Sequence, residues 1–328
     1  MRIAIMHRRL RGGGTETDLR QLATSLAGRG HEVHVFCARS DARLPGVQLR
    51  HVPVLAAGRL VRVLSFALAA PRMVGRERWD VVIGFGRTPR QDVVRCGGGT
   101  HRTYLRRMEA AGLRRAARGP YHRAILWLER RQYGPAGHRR VLAVSRRVRD
   151  EIVADYGVAP ERIAVVYNGV DTERFHPANR ARLGAATRRT LGVPDGARVC
   201  MARRTAGTSV VLTGARDDVE SLLAAADVAC VPSRQEAFGN VVLEACAAGL
   251  PVVTSRLAGA AELLDGALAA LVVDDPEDLD ALAAALTHAL GPEGAELGRA
   301  ARLRAESLPW VTHVDRVEAF LGEVARAS

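Results

Sequence analysis

The sequence predicts an α/β protein made of two doubly wound domains, and three observations predict it. Short apolar runs of strand length alternate with stretches of helical period, the order that builds parallel sheets. Hydrophobic residues make up 48% of the 328 residues but aromatic residues only 4%, and small aliphatic side chains suit helices packed on parallel strands. An Asn-Gly turn at Asn168-Gly169 divides the chain into two stretches, each long enough for a domain.

The elements follow in order. Residues 2–6 read as the first strand. Gly12-Gly13-Gly14 comes next, with Thr15 as the expected cap of a helix whose Leu19, Leu22, Ala23 and Leu26 share one face. Gly28 and Gly30 end that helix, and 31–36 alternates as the second strand. A strand, glycine loop, helix and strand in this order open a doubly wound domain. Buried strands are predicted at 80–85 (DVVIGF) and 141–144 (VLAV), a helix at 146–156 after Ser145, and a further strand at 162–166. The segment Tyr167-Asn168-Gly169-Val170-Asp171 closes it, so the first domain covers 1–170 and the second begins at 171. In the second, helices are predicted at 178–190, 217–226 (its acidic first turn favoured by the helix dipole), 237–248, 276–290, 297–307 and 310–327. Gly249 and Pro251 stop the third of these. Strands are predicted at 198–201, 209–213 (SVVLT), 228–231, 251–254 and 271–273.

Composition narrows the function. Five cysteines, at 37, 96, 200, 230 and 246, are odd in number and have no Cys-x-x-Cys spacing. Reduced structural thiols in a cytosolic protein are expected, with no metal site. The first ten residues are arginine-rich and lack the apolar core of a secretory signal. The apolar stretch 60–70 contains Arg62 and is shorter than the ~20 residues of a membrane span. The protein is therefore expected in the cytoplasm.

The net charge of +13 is unevenly spread. Residues 1–200 hold 38 Arg and 16 acidic residues, whereas 201–328 hold 10 Arg and 19 acidic residues. Not one Lys occurs. A compositional bias toward Arg accounts for the excess, and an anionic partner accounts for its placement; both readings stay open. Nucleic acid ranks last among such partners, because no recognition module is present and the second half is acidic. Residues 101–150 carry 14 Arg and three acidic residues, interleaved with Tyr104, Leu105, Leu113, Tyr121, Ile125, Leu126, Trp127 and Leu128. Such a segment suits an anionic membrane surface, peripherally on the inner face of the cell membrane, or a phosphorylated lipid acceptor. Equally, it suits helices whose apolar side packs on the first sheet with the arginines in water.

The chemistry concentrates in Ser233-Arg234-Gln235-Glu236-Ala237-Phe238-Gly239-Asn240-Val241-Val242-Leu243-Glu244, which joins a strand end to a helix start. Gly239 lets a ligand approach the backbone, and the unpaired N–H groups of the first helical turn favour a phosphate. Glu244 is suited to accept hydrogen bonds from ribose hydroxyls, and Glu236 to face a bound sugar. The alternative is an ordinary capped helix in which Glu236 merely favours the dipole.

On these residues the chain resembles the retaining glycosyltransferases of family 4, which have the GT-B fold. Glu236 and Glu244 bracket Phe238-Gly239 at that family's spacing. Ala248-Gly249-Leu250-Pro251-Val252-Val253, Gly259-Ala260-Ala261-Glu262, Asn168-Gly169-Val170-Asp171 and Gly12-Gly13-Gly14 match further family segments. Residues 82–104 (VIGFGRTPRQDVVRCGGGTHRTY) resemble its lipopolysaccharide-core glucosyltransferases.

The resemblance implies two Rossmann-like domains facing a cleft, the second covering 171–307 and the terminal helix 308–328 returning to the first. It implies transfer of a hexose from a nucleotide sugar, UDP-hexose by expectation, to a glycan or glycolipid acceptor with retained configuration. No metal and no cofactor beyond the nucleotide sugar are implied. Glu236 would contact the transferred sugar, Glu244 the ribose, and Phe238, Gly239 and Asn240 the diphosphate or sugar. Gly13 and Gly14 would admit the donor. Asp18 would face the acceptor or serve only the helix dipole. His101 would be the active-site histidine or a surface residue of an arginine-rich loop.

The sequence also departs from the family. An Arg/Lys-x-x-Lys-Gly segment that should stabilise the diphosphate is missing, and only 64 residues separate Asp171 from Glu236. Loss of one strand–helix–strand unit explains both. Arg203 and Arg204 are then either substitutes for the lost cations or solvated arginines. The alternative function is a degenerate or truncated homologue that binds a partner or a membrane without catalysis.

Overall fold

The computed structural model describes residues 1–10, 12–41, 43–110, 112, 119–202, 210–214 and 216–327. The chain divides into two compact units: Met1–Tyr167 together with the chain end from Val314, and Asn168–His313. The first division falls three residues before the expected boundary.

The first unit holds strands β1 (Arg2–Met6), β2 (Arg9–Leu10), β3 (Glu32–Cys37), β4 (Arg39–Ser40), β5 (Val47–His51), β6 (Val81–Gly84), β7 (Val93–Cys96), β8 (Arg140–Ala143) and β9 (Ile163–Val165). Seven of them form one sheet, in the order β5-β3-β1-β6-β7-β8-β9, and every pairing is parallel. Ile3 lies opposite both Val33 and Val81, and Ile3, Ala4, Ile5 and Met6 are wholly buried, as a strand covered on both faces requires. The order reverses between β1 and β6, so the carboxyl ends of these two strands flank a topological switch point, where doubly wound sheets open a crevice.

The helices of this unit are α1 (Gly14–Gly28), α2 (Gly58–Val74), α3 (His101–Ala110), α4 (Pro120–Gln132) and α5 (Arg146–Tyr156). Leu19, Leu22, Ala23 and Leu26 form the buried face of α1, each leucine contributing about 1.5–3 kcal/mol on burial. Its cap is Gly13, without a side-chain hydrogen bond, rather than Thr15, which falls in the first turn beside Gly97. Ser145 Oγ accepts from the Val148 N–H at the start of α5, and Gly157 closes that helix at φ +65°.

The second unit contains β10 (Cys200–Ala202), β11 (Val228–Val231), β12 (Val252–Ser255) and β13 (Val272–Val273), all parallel and in chain order. Its helices are α6 (Ala185–Thr190), α7 (Val219–Ala225), α8 (Asn240–Ala247), α9 (Leu279–Leu290) and α10 (Gly294–Glu306). The last helix, α11 (Trp310–Arg326), has its final thirteen residues in the first unit, where Glu318 pairs with Arg29 and His31.

The strand expected at 209–213 is corrected. Residues 210–213 join no ladder, and Val211 and Leu212 are 55% and 85% exposed. β11 is already paired on one side by β10 and on the other by β12, which leaves an inner strand no partner. Among the described residues the second sheet winds one way only and has no reversal of strand order. Four of the five cysteines are buried, Cys200 on the outermost strand β10 is exposed, and all five are free. No helix among the described residues is long and apolar enough to cross a membrane, and no cluster of His, Cys, Asp and Glu among them is arranged to hold a metal ion.

Candidate active site

In the first unit, functional side chains collect where the strands end. β1 leads through His7 to the glycine loop. A Cβ at Gly12 or Gly14 would meet nothing within 4 Å, so packing inside the unit does not demand glycine there. At Gly13 it would meet only the flexible end of Glu16, whose carboxylate also lies 3.4 Å from His7 Nε2.

Asp18 lies on the buried face of α1, its carboxylate paired at 3.0 Å with Arg95 of β7. The Arg95 side chain is itself 0% exposed. The acid answers a buried guanidinium.

His101 opens α3. Its N–H donates to both oxygens of Glu129, at 2.9 and 3.0 Å, so a carboxylate on α4 caps α3. Glu129 also accepts from Tyr156 Oη at 2.5 Å and Arg87 Nε at 3.1 Å. The His101 ring is buried between His122 and Tyr104, with Nε2 2.9 Å from His122 Nδ1. Burial, helped by Arg87, His122 and Arg59, lowers its pKa to about 3. The imidazole is thus neutral at ordinary pH and offers hydrogen bonds rather than charge.

This has a measurable consequence. The folded pKa lies below the ordinary 6.5, so the unfolded chain takes up the proton first as pH falls. The stability contributed by neutral His101 is complete above pH 6.5 and is lost progressively toward pH 3. Urea unfolding between pH 7 and about 4 should show a steeper decline for the wild type than for His101→Gln. Equal slopes would contradict this.

In the second unit, β11 ends at Val231 and a loop leads into α8. Gly239 caps α8 at φ +97°, and a Cβ there would lie 3.2 Å from Glu236 Cγ; both its conformation and its surroundings call for glycine. No side chain caps α8; the Val242 N–H turns back to Gly239 O at 2.9 Å, which leaves the N–H groups of Asn240 and Val241 for an anion. The loop is stapled to the next one. The Glu236 N–H donates to Leu257 O, the Gly259 N–H to Glu236 O, and the Ala260 N–H to Phe238 O, at 3.1, 3.1 and 2.7 Å. The Phe238 side chain is buried, and Asn240 Oδ1 accepts from Asn168 Nδ2 at 2.8 Å. Three separate sequence signatures, around Asn168, Phe238 and Gly259, therefore meet in one place.

Glu244 stands one turn along α8. Its carboxylate is half-buried and makes no hydrogen bond or ion pair among the described residues. Burial raises its pKa, with Arg174 acting in the opposite direction and Glu220 in the same one. The arginines flanking the loop are engaged, Arg234 by Glu277 and Arg256 by Asp274. Arg203 and Arg204 lie outside the described residues, as does Leu113.

Sequence reasoning missed Glu129, Arg95, His7 and Glu16. Glu129 carried a signal, since it falls on the face of α4 that buries Ile125, Leu128 and Gln132. Arg95 carried one too, as a cation within the apolar run Val93–Cys96.

The chain matches the family described as Glycosyltransferase Family 4 over residues 12–174 and that described as Glycosyl transferases group 1 over 180–291. A probable transglycosylase of Burkholderia thailandensis is 30% identical over 358 positions, covering 96% of this chain and 94% of its own length. Those positions outnumber the 328 residues of the chain, so the relative has residues within the matched span that this chain lacks. A D-inositol 3-phosphate glycosyltransferase of Saccharomonospora viridis is 32% identical over 219 residues, about half of each chain (49% and 50%). Among solved structures, WaaG, a glycosyltransferase involved in lipopolysaccharide biosynthesis, superposes with a TM-score of 0.82 at 19% identity, over 97% of this chain and 99% of its own. Anabaena HepE, solved in complex with UDP and glucose, gives 0.73 at 17% identity over 98% and 99%. At such identities the structural likeness speaks for the GT-B fold.

Proposed function

We propose, for a chain that belongs to glycosyltransferase family 4 and has the GT-B fold, transfer of a hexose from UDP-hexose to a glycan or glycolipid acceptor of the cell envelope with retained configuration. The observation that carries the reading is Glu244. A half-buried carboxylate without a hydrogen bond is costly unless a ligand supplies donors, and ribose hydroxyls are such donors. Gly239 and the first two N–H groups of α8 suit the diphosphate, and Glu236 is assigned to the sugar. Gly13 and Gly14 are assigned to the donor: a Cβ would meet nothing within 4 Å at Gly14 and only the flexible end of Glu16 at Gly13. Neutral His101 suits a sugar hydroxyl, and Asp18 acts as a positioning residue through Arg95.

The leaving diphosphate needs positive charge. Arg203 and Arg204 follow the end of β10 in sequence and are assigned that role in a donor domain shortened by an internal loss. The Arg-rich segment 101–150 is assigned to an anionic membrane surface, its exposed Tyr104 and Trp127 accompanied by arginines, which suits a cytoplasmic protein held peripherally on the inner face of the membrane. The nucleotide sugar is a co-substrate, and no metal or cofactor is assigned.

One observation favours the second reading, a homologue that binds without catalysis: the four-stranded second sheet, with Val211 and Leu212 in water beside it in sequence. Calorimetric titration with UDP separates the two. The transferase reading expects micromolar binding that Glu244→Ala weakens by roughly tenfold or more, the worth of one or two hydrogen bonds to a charged acceptor. A folded protein that binds none of UDP, GDP and ADP belongs to the second reading.

A further inference from the structure

Arg8 leaves the carboxyl end of β1, and Arg59 and Arg62 open α2. α2 packs on α4 through Val63, Ala67, Ile125 and Leu128. That packing lays Arg59 over the Tyr121 ring, the guanidinium carbon 4.0 Å from its centroid. Arg9, Arg59 and Arg62 each lie close enough to Arg8 to repel it, and Arg59 reaches the field of His101 as well. Among the described residues none of the four forms an ion pair. Elsewhere in the same unit arginines find acids: Arg2 with Glu32 and Glu77, Arg29 with Asp315 and Glu318, Arg87 with Glu129, Arg95 with Asp18.

Arg9 has the Glu16 carboxylate within its field, but Arg8, Arg59 and Arg62, gathered without an ion-pair partner among the described residues, raise the free energy of the empty protein. Half-buried Arg8 registers this: burial, then Arg9, and further Arg62 and Arg59 hold its guanidinium below its usual pKa, with Tyr121 working the other way. Arg59 also stands in the first turn of α2, where the helix dipole opposes a cation. An anion among them turns each repulsion into attraction. Guanidinium forks match the oxygens of a phosphoryl group, and a dianion answers several cations at once.

We propose that Arg8, Arg59 and Arg62 bind a phosphoryl group carried by the acceptor, at the same carboxyl edge of the first sheet as His101 and the glycine loop. The phosphoryl site stands on the arginines alone; calling its carrier the acceptor rests on the transferase reading.

The test titrates the whole chain and its Arg59→Gln/Arg62→Gln variant with inorganic phosphate, with UDP, and with vesicles containing anionic lipid. Both replaced side chains lie at or near the surface, and Arg8→Gln serves as a second variant if melting shows the first misfolded. Expected is saturable phosphate binding that weakens about tenfold or more in the variant, the loss of two charge-assisted hydrogen bonds, with UDP affinity and vesicle binding unchanged. Absent or unaltered phosphate binding overturns the proposal. UDP affinity falling in step gives these arginines to the donor diphosphate, and vesicle binding falling in step gives them to a membrane; either overturns the acceptor assignment. Phosphate binding without UDP binding leaves the arginine site standing while sinking the donor reading.

Discussion

Asp18→Ala destabilises the first unit by about 3–5 kcal/mol, the cost of breaking a buried ion pair by removing one member. The Arg95 side chain is wholly buried on β7 and the Asp18 carboxylate reaches it at 3.0 Å from α1. Alanine removes the acid and leaves the guanidinium in a place that water cannot reach. Replacing both partners with apolar residues of similar size, Asp18→Leu with Arg95→Met, should restore most of the loss, because desolvating the pair nearly cancels its attraction. Urea unfolding of the four proteins reads this directly. A loss below ~1 kcal/mol for Asp18→Ala, typical of an exposed pair, would return Asp18 to the surface and to a direct role.

Glu236→Gln lowers the release of UDP from UDP-glucose by about 10²–10³-fold, the range found when one group that stabilises developing charge is removed. Glu236 sits beside Gly239, its backbone stapled to Leu257 and Gly259, so glutamine keeps the shape while removing the charge. UDP affinity should stay within about twofold, since Glu236 is assigned to the sugar and not to the nucleotide. A parallel loss of UDP affinity would mean that the loop itself had been disturbed. Unchanged turnover would remove Glu236 from the reaction.

Much of this molecule is legible in its sequence, and the exceptions have physical causes. β1, α1, α5, β11 and α8 announce themselves because glycine, serine or proline punctuates runs with a clear period. β5 does not: it is the sheet's outer strand, with Gln48, Leu49 and His51 exposed, so its apolar alternation is faint. β7 is masked by Arg95, which reads as a surface residue until Asp18 is placed 77 positions away against it. α2 reads as an apolar stretch, 60–70, that contains Arg62 and is too short to span a membrane, yet Val63, Phe66, Ala67, Ala70 and Val74 keep a helical face.

The loop around Glu236 was visible because its residue types and spacing are themselves the site. Glu129 showed only its place on the apolar face of α4; its role comes from a tertiary meeting of α3 and α4 that this face does not reveal. The 209–213 run failed for the opposite reason: its β-branched residues suit a strand, but pairing and not propensity decides whether one forms.

The measurement that bears most directly on the central claim is UDP release from UDP-glucose by the purified, folded chain. The account predicts turnover that Glu236→Gln abolishes and that free UDP inhibits at the concentration at which UDP binds. A folded protein that neither binds UDP nor turns over UDP-glucose, GDP-sugar or ADP-sugar would contradict it, and would favour a homologue that has lost its chemistry.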